Sequence, residues 1–325
     1  MTKKLNVFFE LVAFAFLLTI AIMLSFGKSF SGAVNDGILL WATCVLPTTF
    51  PYLFITTLMN SMSVTGSLSK KLSPVTTRLF NTGGSSGYAF FISVLSGYPV
   101  GSKTVADLKL SNSLSETEAV RASAFCSTSS PVFLIASVGN VMFENAKFGL
   151  CLFAVHLIST LIVGVIFSFY KRKEKPKITA RELKKEKSLN LLYESVYSAV
   201  ISSLVVGGLI TVFYLLTEIL CSLGILTPLI NAIARLLNNK TLAEGVVYGF
   251  FESTKGLKSI SQTGVTLFSL PICASISGFG GLSVIAQSLS YLGTAKIKTA
   301  PFIIAKLTCA VISFIVGLLF SLLFF

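Results

Sequence analysis

The segment KRKEKPKITARELKKEK, residues 171–187, separates two long apolar halves and decides how the chain is organised. It contains nine Lys or Arg residues and three acids, so it supplies +6 of the formal net charge of +13. A segment with this many charges cannot enter a lipid bilayer. Basic loops mark the cytoplasmic side of membrane proteins, so we expect this linker in the cytoplasm, where it can also contact anionic lipid.

The composition of the two halves is that of an integral membrane protein. Hydrophobic residues make up 53% of the chain and charged residues 12%, and the mean hydropathy is +0.83. Soluble domains carry about twice that charged fraction. Several apolar runs approach or exceed the roughly 20 residues that span a bilayer. These runs are 7–26, 38–59, 149–170, 196–220 and 300–325. The sequence therefore predicts a multi-pass protein of the bacterial cytoplasmic membrane, and the basic charge does not indicate a nucleic-acid partner.

The basic loops also predict the topology. The run 7–26 follows Lys3 and Lys4 and is longer than the core of a usual signal peptide, which favours a retained first helix with a cytoplasmic N-terminus. Counting crossings from there puts the C-terminus outside. We predict an extra N-terminal transmembrane helix, a first repeat, a basic cytoplasmic linker and a second, inverted repeat. Their ranges are 1–30, 31–170, 171–188 and 189–325.

Polar, glycine-containing breaks interrupt the apolar segments of both halves at matching positions. The first half contains SGYPVGSK (96–103) and STSSP (127–131), and the second contains GFFESTKG (249–256) and ASISGFGG (274–281). Glycine and proline end helices, and irregular backbone at membrane depth is tolerated only around a cavity. The sequence thus predicts an all-α fold of two inverted-topology repeats, each with a re-entrant hairpin and a discontinuous transmembrane helix. The alternative is that the glycines only allow close helix packing.

The spacing of the breaks supports an internal duplication. Lys103 and Ser127 are 24 positions apart, and Lys255 and Gly278 are 23 positions apart. In inverted repeats such paired breaks indicate a central binding site. The candidate substrate- or ion-binding residues are Gly97, Pro99, Gly101, Ser102, Lys103, Ser127, Thr128, Ser129, Ser130, Glu252, Ser253, Thr254, Lys255, Ser275, Ser277, Gly278 and Gln287.

Glu252 and Lys103 are the ionisable candidates at these breaks. A buried carboxylate at membrane depth suits proton coupling, while an alternative is an ion pair of Glu252 with Lys255 or Lys103 that only ties two hairpin tips. A lysine at a helix N-terminus attracts an anionic group, while the alternative for Lys103 is a side chain that reaches the membrane surface.

The remaining polar residues of the apolar segments complete the set of candidates. The hydroxyl and carbonyl groups of the serine-rich breaks are suited to bind sugar hydroxyls or Na⁺. The alternative is that the serine hydroxyls only cap the broken turns. His156, the single histidine, is predicted to be a packed, hydrogen-bonded residue, and Lys306 to extend to the membrane surface. The sequence contains no catalytic motif, which predicts that the chain is not an enzyme. It predicts no cofactor, and Na⁺ or H⁺ is the candidate coupling ion.

The residues of the breaks also resemble a known family. SGYPVGSK (96–103), GFFESTKG (249–256) and the stretch from Gly278 to Gln287 are similar to the sporulation integral membrane protein YlbJ family. The resemblance extends from about Leu39 over nearly the whole chain. It implies a nucleoside-recognition Gate domain, related to concentrative nucleoside transporters and to the membrane part of ferrous iron transporters. It also implies a role in spore cortex formation.

These observations predict a secondary-transporter-like protein that moves a small polar solute, nucleoside-like or anionic, by alternating access. A link to sporulation or envelope assembly is part of the same expectation. The alternative is a membrane morphogenesis or scaffold factor that transports nothing, and a membrane-embedded enzyme ranks last because no catalytic set of residues is present. The expected partners are the solute and membrane lipid, and a homo-oligomer is left open.

Overall fold

The computed structural model describes residues 27–61, 64–176 and 191–325, and every regular element in these ranges is helical. The predicted first helix, 7–26, and most of the basic linker lie outside the described residues. The elements of the first half are α1 (Gly27–Leu40), the π-helix π1 (Trp41–Val45), α2 (Leu46–Ser61), α3 (Val64–Phe80), α4 (Gly84–Ser96), α5 (Val100–Leu110), α6 (Glu116–Phe125), π2 (Val132–Met142) and α7 (Ala146–Phe167).

The second half has a similar order of elements after the linker, without the two π-helices, in the residues that the structure describes. Its elements are α8 (Leu191–Ser222), α9 (Thr227–Leu237), α10 (Lys240–Phe251), α11 (Ser253–Ser261), α12 (Ser269–Phe279), α13 (Gly281–Thr294) and α14 (Thr299–Phe324). In each half a long helix is followed by an amphipathic one, a pair of short helices, a broken helix and a final apolar helix. The observed breaks between α4 and α5, α6 and π2, α10 and α11, and α12 and α13 fall within the four polar stretches predicted from the sequence.

Several helices are long and apolar enough to cross a membrane. Among the described residues these are Ala146–Phe167, Leu191–Ser222, Ser269–Thr294 and Thr299–Phe324. A fifth span results if the segments Phe30–Val45 and Thr49–Ile55, which are bent by 61°, count as one. Together these helices make the chain a multi-pass membrane protein, as its composition predicts.

The last helices of the two halves, α7 and α14, run antiparallel. Lys147 at the start of α7 donates a hydrogen bond of 2.7 Å to the carbonyl of Phe324 at the end of α14. At the other end, Tyr170 after α7 packs into the same apolar cluster as Phe302 in the first turns of α14. The chain ends at Phe325 beside Phe148, so the end of α14 and the start of the linker lie at opposite ends of α7.

The open ends of two helical hairpins pack near opposite ends of α7. In the α10–α11 hairpin Gly256 lies directly against Gly249, where an added Cβ would fall 2.4 Å from the Gly249 Cα. The open end of this hairpin, at Leu242 and Ile260, packs in one apolar cluster with Phe148, at the start of α7. The α4–α5 hairpin has its open end at the other end of α7, because Leu108 of α5 shares a cluster with Tyr170.

Arg121 of α6 fastens the end of α7 to the end of α3. Its side chain is 1% exposed, and it donates hydrogen bonds to the backbone carbonyls of Asn81, Tyr170, Lys171 and Glu174 at 2.6, 2.9, 2.8 and 3.1 Å. A helix leaves its last carbonyls without intrahelical partners, and a cation there also interacts favourably with the helix dipole. Arg121 therefore donates hydrogen bonds to the backbone carbonyls that follow two different helices.

Glu118, one turn before Arg121, connects α6 to the loop that precedes α4. Its carboxylate accepts hydrogen bonds of 2.9 Å from the backbone N–H groups of Gly83 and Ser115, and Ser115 completes a capping box. Beyond the end of α7, a hydrogen bond from Thr117 holds the pKa of Glu174 below its usual value. This end of the molecule is thus held by polar contacts as well as by apolar packing.

We expect Arg121→Met to lower the free energy of unfolding by about 2 kcal/mol, because four carbonyls lose a charged donor. Arg121→Lys retains the charge and should lose less. The control is Arg78→Met, which removes an exposed arginine from the last turn of α3. Thermal unfolding of the purified proteins in detergent measures the difference, and equal midpoints for Arg121→Met and Arg78→Met would contradict the anchoring role.

Candidate functional site

Three of the four breaks, together with the first turns of the helix that follows the fourth, line one cavity with a volume of about 60 Å³. The first hairpin contributes Gly97, the broken helix of the first half contributes Ser130, and the second hairpin contributes Glu252. The first turns of α13 contribute Ser283 and Gln287. The predicted residues that line the cavity are Gly97, Ser129, Ser130, Glu252, Ser253, Thr254 and Gln287.

Within each half the hairpin tip contacts the broken helix. Gly97 lies against Ser130, where an added Cβ would come within 3.1 Å of the Ser130 backbone nitrogen. In the second half Gly281 lies against Ser253 in the same way, at 3.0 Å from its backbone nitrogen. The two halves are joined by Tyr98, whose hydroxyl donates a hydrogen bond of 3.0 Å to the carbonyl of Ser277. Through these contacts, the backbone groups that lack a helical hydrogen-bond partner at the breaks are surrounded by protein.

Glu252 forms the break of the second hairpin. It is 1% exposed, has an extended backbone, and separates α10 from α11. Its carboxylate accepts a hydrogen bond of 2.6 Å from the backbone N–H of Lys255, and the backbone and side chain of Thr254 also hydrogen bond to it. Glu252 therefore caps the N-terminus of α11, where a negative charge is favourable.

Lys255 directs its ammonium away from Glu252 into a second cavity of about 420 Å³. Its Nζ lies 2.6 Å from a carboxylate oxygen of Glu218 on α8, and its side chain is 7% exposed. The rings of Tyr214 and Tyr248 lie 4.1 and 4.6 Å from the same Nζ, which is the geometry of cation–π contacts. Charged and polar side chains line this second cavity, which we call the vestibule. Its lining includes Asp36, Glu218, Glu244, Lys255, Lys258 and Gln262.

The chain is similar to a sporulation protein over most of its length. It is 30% identical to the sporulation integral membrane protein YlbJ of Bacillus subtilis (strain 168), in an alignment that covers 91% of this chain and 79% of the relative. The chain belongs to the YlbJ family. No family model matches it, and no solved structure matches it. The Gate domain and nucleoside recognition thus stay predictions for this YlbJ-family chain.

The other predicted residues lie at the breaks of this YlbJ-family protein without lining the central cavity. They are Pro99, Gly101, Ser102, Lys103, Ser127, Thr128, Lys255, Ser275, Ser277 and Gly278. Thr128 holds the break of α6 to the first hairpin, because its hydroxyl and backbone N–H both hydrogen bond to the Ser93 hydroxyl. Gly278 lies against Cys309 and Ser313 of α14, and Lys103 is half-buried on α5.

One alternative drawn from the sequence is wrong. No ion pair joins Glu252 to Lys255 or Lys103, since Lys255 pairs with Glu218 and contacts Glu252 through its backbone nitrogen. The i, i+3 spacing of Glu252 and Lys255 that suggested the pair is the spacing of an N-cap and the third residue of its helix. The carboxylate is therefore held by neutral donors.

Sequence reasoning also missed Lys306, which does not reach the membrane surface. It is 1% exposed, and its Nζ donates hydrogen bonds of 2.7 Å to the Tyr98 hydroxyl and 3.2 Å to the Ser127 carbonyl. The signal was its position two turns inside an apolar helix, where an ionisable residue is a candidate for function. His156 is buried and hydrogen-bonded, as predicted, because its Nε2 accepts from the Ser129 backbone N–H at 2.9 Å.

The contact of Gly281 with the second hairpin predicts the effect of adding a side chain at this position. Gly281 has a φ of +76°, and an added Cβ would meet three backbone atoms of residues 249–253 at 3.0 to 3.2 Å. We expect Gly281→Ala to lower the free energy of unfolding by about 1–2 kcal/mol through strain and crowding. Gly293→Ala, in the same helix with open space around its Cα, should be neutral or slightly stabilising. Thermal unfolding of both variants measures this, and equal midpoints would contradict the tight contact.

Proposed function

We propose that this YlbJ-family chain is a secondary-transporter-like protein that moves a small polar solute across the membrane by alternating access. The observation that carries the proposal is that three helix breaks and the first turns of α13, which follow the fourth break, line one cavity with the buried carboxylate Glu252. Ionisable groups in such surroundings are costly and are retained for a function.

The arrangement of the two halves supports this proposal. Equivalent elements follow the same order, and the equivalent helices α7 and α14 run in opposite directions. The two hairpins have their open ends at opposite ends of α7. These are the relations expected of inverted-topology repeats with re-entrant hairpins, in which the site lies between the repeats. In this proposal the two hairpins are the gates.

The lining of the cavity favours a solute with both hydrogen-bond donors and acceptors. Ser129, Ser130 and Thr254 supply hydroxyls, and Gln287 supplies an amide. The N-termini of α11 and α13 meet at this place, because Gly281 lies against Ser253, and helix N-termini favour negatively charged groups. A nucleoside-like or anionic solute meets these requirements, with H⁺ on Glu252 or Na⁺ as the coupling ion.

The size of the cavity requires movement during transport. A volume of about 60 Å³ is several times smaller than the roughly 300–1,000 Å³ of pockets that hold small-molecule ligands. A solute of nucleoside size therefore enters only if a hairpin moves away from the broken helix beside it. The vestibule, which Lys255 and Glu218 line, would be one route of entry for the solute.

The proposed orientation follows the positive-inside rule. It puts the linker in the cytoplasm and Phe325 outside, which agrees with their positions at opposite ends of α7. Labelling a single cysteine at position 325 with an impermeant reagent tests this orientation. Labelling from the cytoplasmic side alone would show that the orientation is the opposite one.

A scaffold role in spore or envelope assembly, without transport, is the second candidate. One observation favours it: the carboxylate of Glu252 already has a structural task as the cap of α11. The two candidates differ in what they require of this residue, because a scaffold needs only the cap.

The experiment that tests transport begins with metabolites. Cells that lack the protein are compared with wild-type cells, and the solutes that differ are then offered to proteoliposomes containing the purified protein. Transport predicts saturable uptake above that of empty liposomes for at least one of these solutes. Equal uptake for all of them, together with a normal assembly phenotype in a Glu252→Gln strain, would favour the scaffold.

A further inference from the structure

Lys306 connects three of the four breaks through its ammonium group. Its Nζ donates to the carbonyl of Ser127, at the end of α6, and to the hydroxyl of Tyr98, at the tip of the first hairpin. Tyr98 in turn donates to the carbonyl of Ser277, in the last turn of α12. The Nζ also lies 4.4 Å from the centre of the Tyr98 ring.

The place of this ammonium is electrostatically suited to a cation. Ser127 follows the C-terminus of the half-helix α6, and Ser277 lies near the C-terminus of the half-helix α12. The C-terminal end of a helix carries a partial negative charge. In transporters with broken helices, unwound carbonyls and half-helix C-termini of this kind hold the coupling cation.

The charge of Lys306 is not matched by a carboxylate. Within the described ranges, no Asp or Glu forms an ion pair with its Nζ. The nearby His156 accepts a hydrogen bond from Ser129 at Nε2, so that nitrogen carries no proton. The partners of the Lys306 ammonium among the described residues are therefore a carbonyl and a hydroxyl oxygen.

We propose that the ammonium of Lys306 is a built-in cation, which holds the broken helices together at the place where a transporter of this design would bind Na⁺. The assembled site then needs no free metal cation. The cation site itself does not depend on transport, whereas the consequence that solute uptake is independent of Na⁺ rests on the proposed function.

The test compares thermal unfolding of the purified full-length protein in sodium chloride and in choline chloride at equal ionic strength. The wild-type midpoint should be the same in both salts, and this arm requires no variant. In choline chloride, the unfolding midpoint of Lys306→Ala should be roughly 5 °C below that of wild type. It leaves a channel with the length of n-propylammonium, so propylammonium or Na⁺ should restore at least half of the loss in a saturable way. Lys306→Met fills the channel without a charge, and it should stay destabilised in every salt.

Lys147→Ala is the matched control, because Lys147 also donates to a backbone carbonyl but is exposed. It should show no dependence on the cation. A wild-type protein that Na⁺ stabilises relative to choline would overturn the proposal. So would a Lys306→Met protein as stable as wild type, or a Lys306→Ala protein that no cation restores. Each result concerns cation binding alone, so none of them decides whether the protein transports a solute.

Discussion

Replacing Glu252 by Gln is expected to lower function by about tenfold or more, while the amount of protein in the membrane stays within about twofold of wild type. The amide keeps the shape of the side chain and one oxygen that can accept from the backbone N–H of Lys255. It cannot take up and release a proton, and it carries no charge into the cavity. The loss would therefore reflect the chemistry of the carboxylate rather than the fold. Solute uptake or complementation of a deletion strain measures it.

Glu244→Gln is the matched control for this change. Glu244 lies on α10, the helix that ends just before Glu252, lines the vestibule and pairs with Lys240 across 3.7 Å, but it does not line the central cavity. It should retain nearly full function. Glu252→Ser adds a second comparison, because serine is a good N-cap that lacks the acid. Full function of the Gln or the Ser variant would show that Glu252 is only a cap.

The ion pair between Lys255 and Glu218 is expected to be the strongest charged contact of the vestibule. Glu218→Gln leaves a buried ammonium with two tyrosine rings and no carboxylate, and we expect it to lower the free energy of unfolding by about 3 kcal/mol. Lys255→Met should cost less, because Glu218 is partly exposed. A double-mutant cycle with thermal unfolding should give a coupling energy of about 1–3 kcal/mol for the pair.

The pair Lys240 and Glu244 on the neighbouring helix is the control for that cycle. Its atoms are 3.7 Å apart and Lys240 is 72% exposed, so its coupling should not exceed about 0.5 kcal/mol. Equal coupling energies for the two pairs would show that Lys255 and Glu218 do not hold the hairpin against α8.

Much of the architecture was predictable from local sequence signals. The breaks at 96–103 and 249–256 were visible because glycine, proline and charge interrupt apolar runs, and the observed helices end there. The division at the linker was visible because charge cannot enter lipid. These features depend on residues that are neighbours in the chain.

The contacts of the site were less predictable because they join residues far apart in the chain. Lys306 meets Tyr98 across 208 positions, and Lys255 meets Glu218 across 37. From the sequence alone, the position of Lys306 is typical of a lysine near a helix end. The spacing of Lys255 from Glu252 suggests that these two residues pair. The volume of the cavity depends on how closely the hairpin tips approach the broken helices, which residues such as Gly281 determine through three-dimensional contacts.

Access to Thr254 from the two sides of the membrane tests the central claim most directly. Thr254 lines the cavity and is buried, and the chain's six cysteines can be replaced to give a background without thiols. A cysteine at position 254 is then treated with an impermeant maleimide in right-side-out and in inverted vesicles. Alternating access between two inverted halves predicts labelling from both sides. Labelling from neither side, or from the same single side in every condition, would contradict the account.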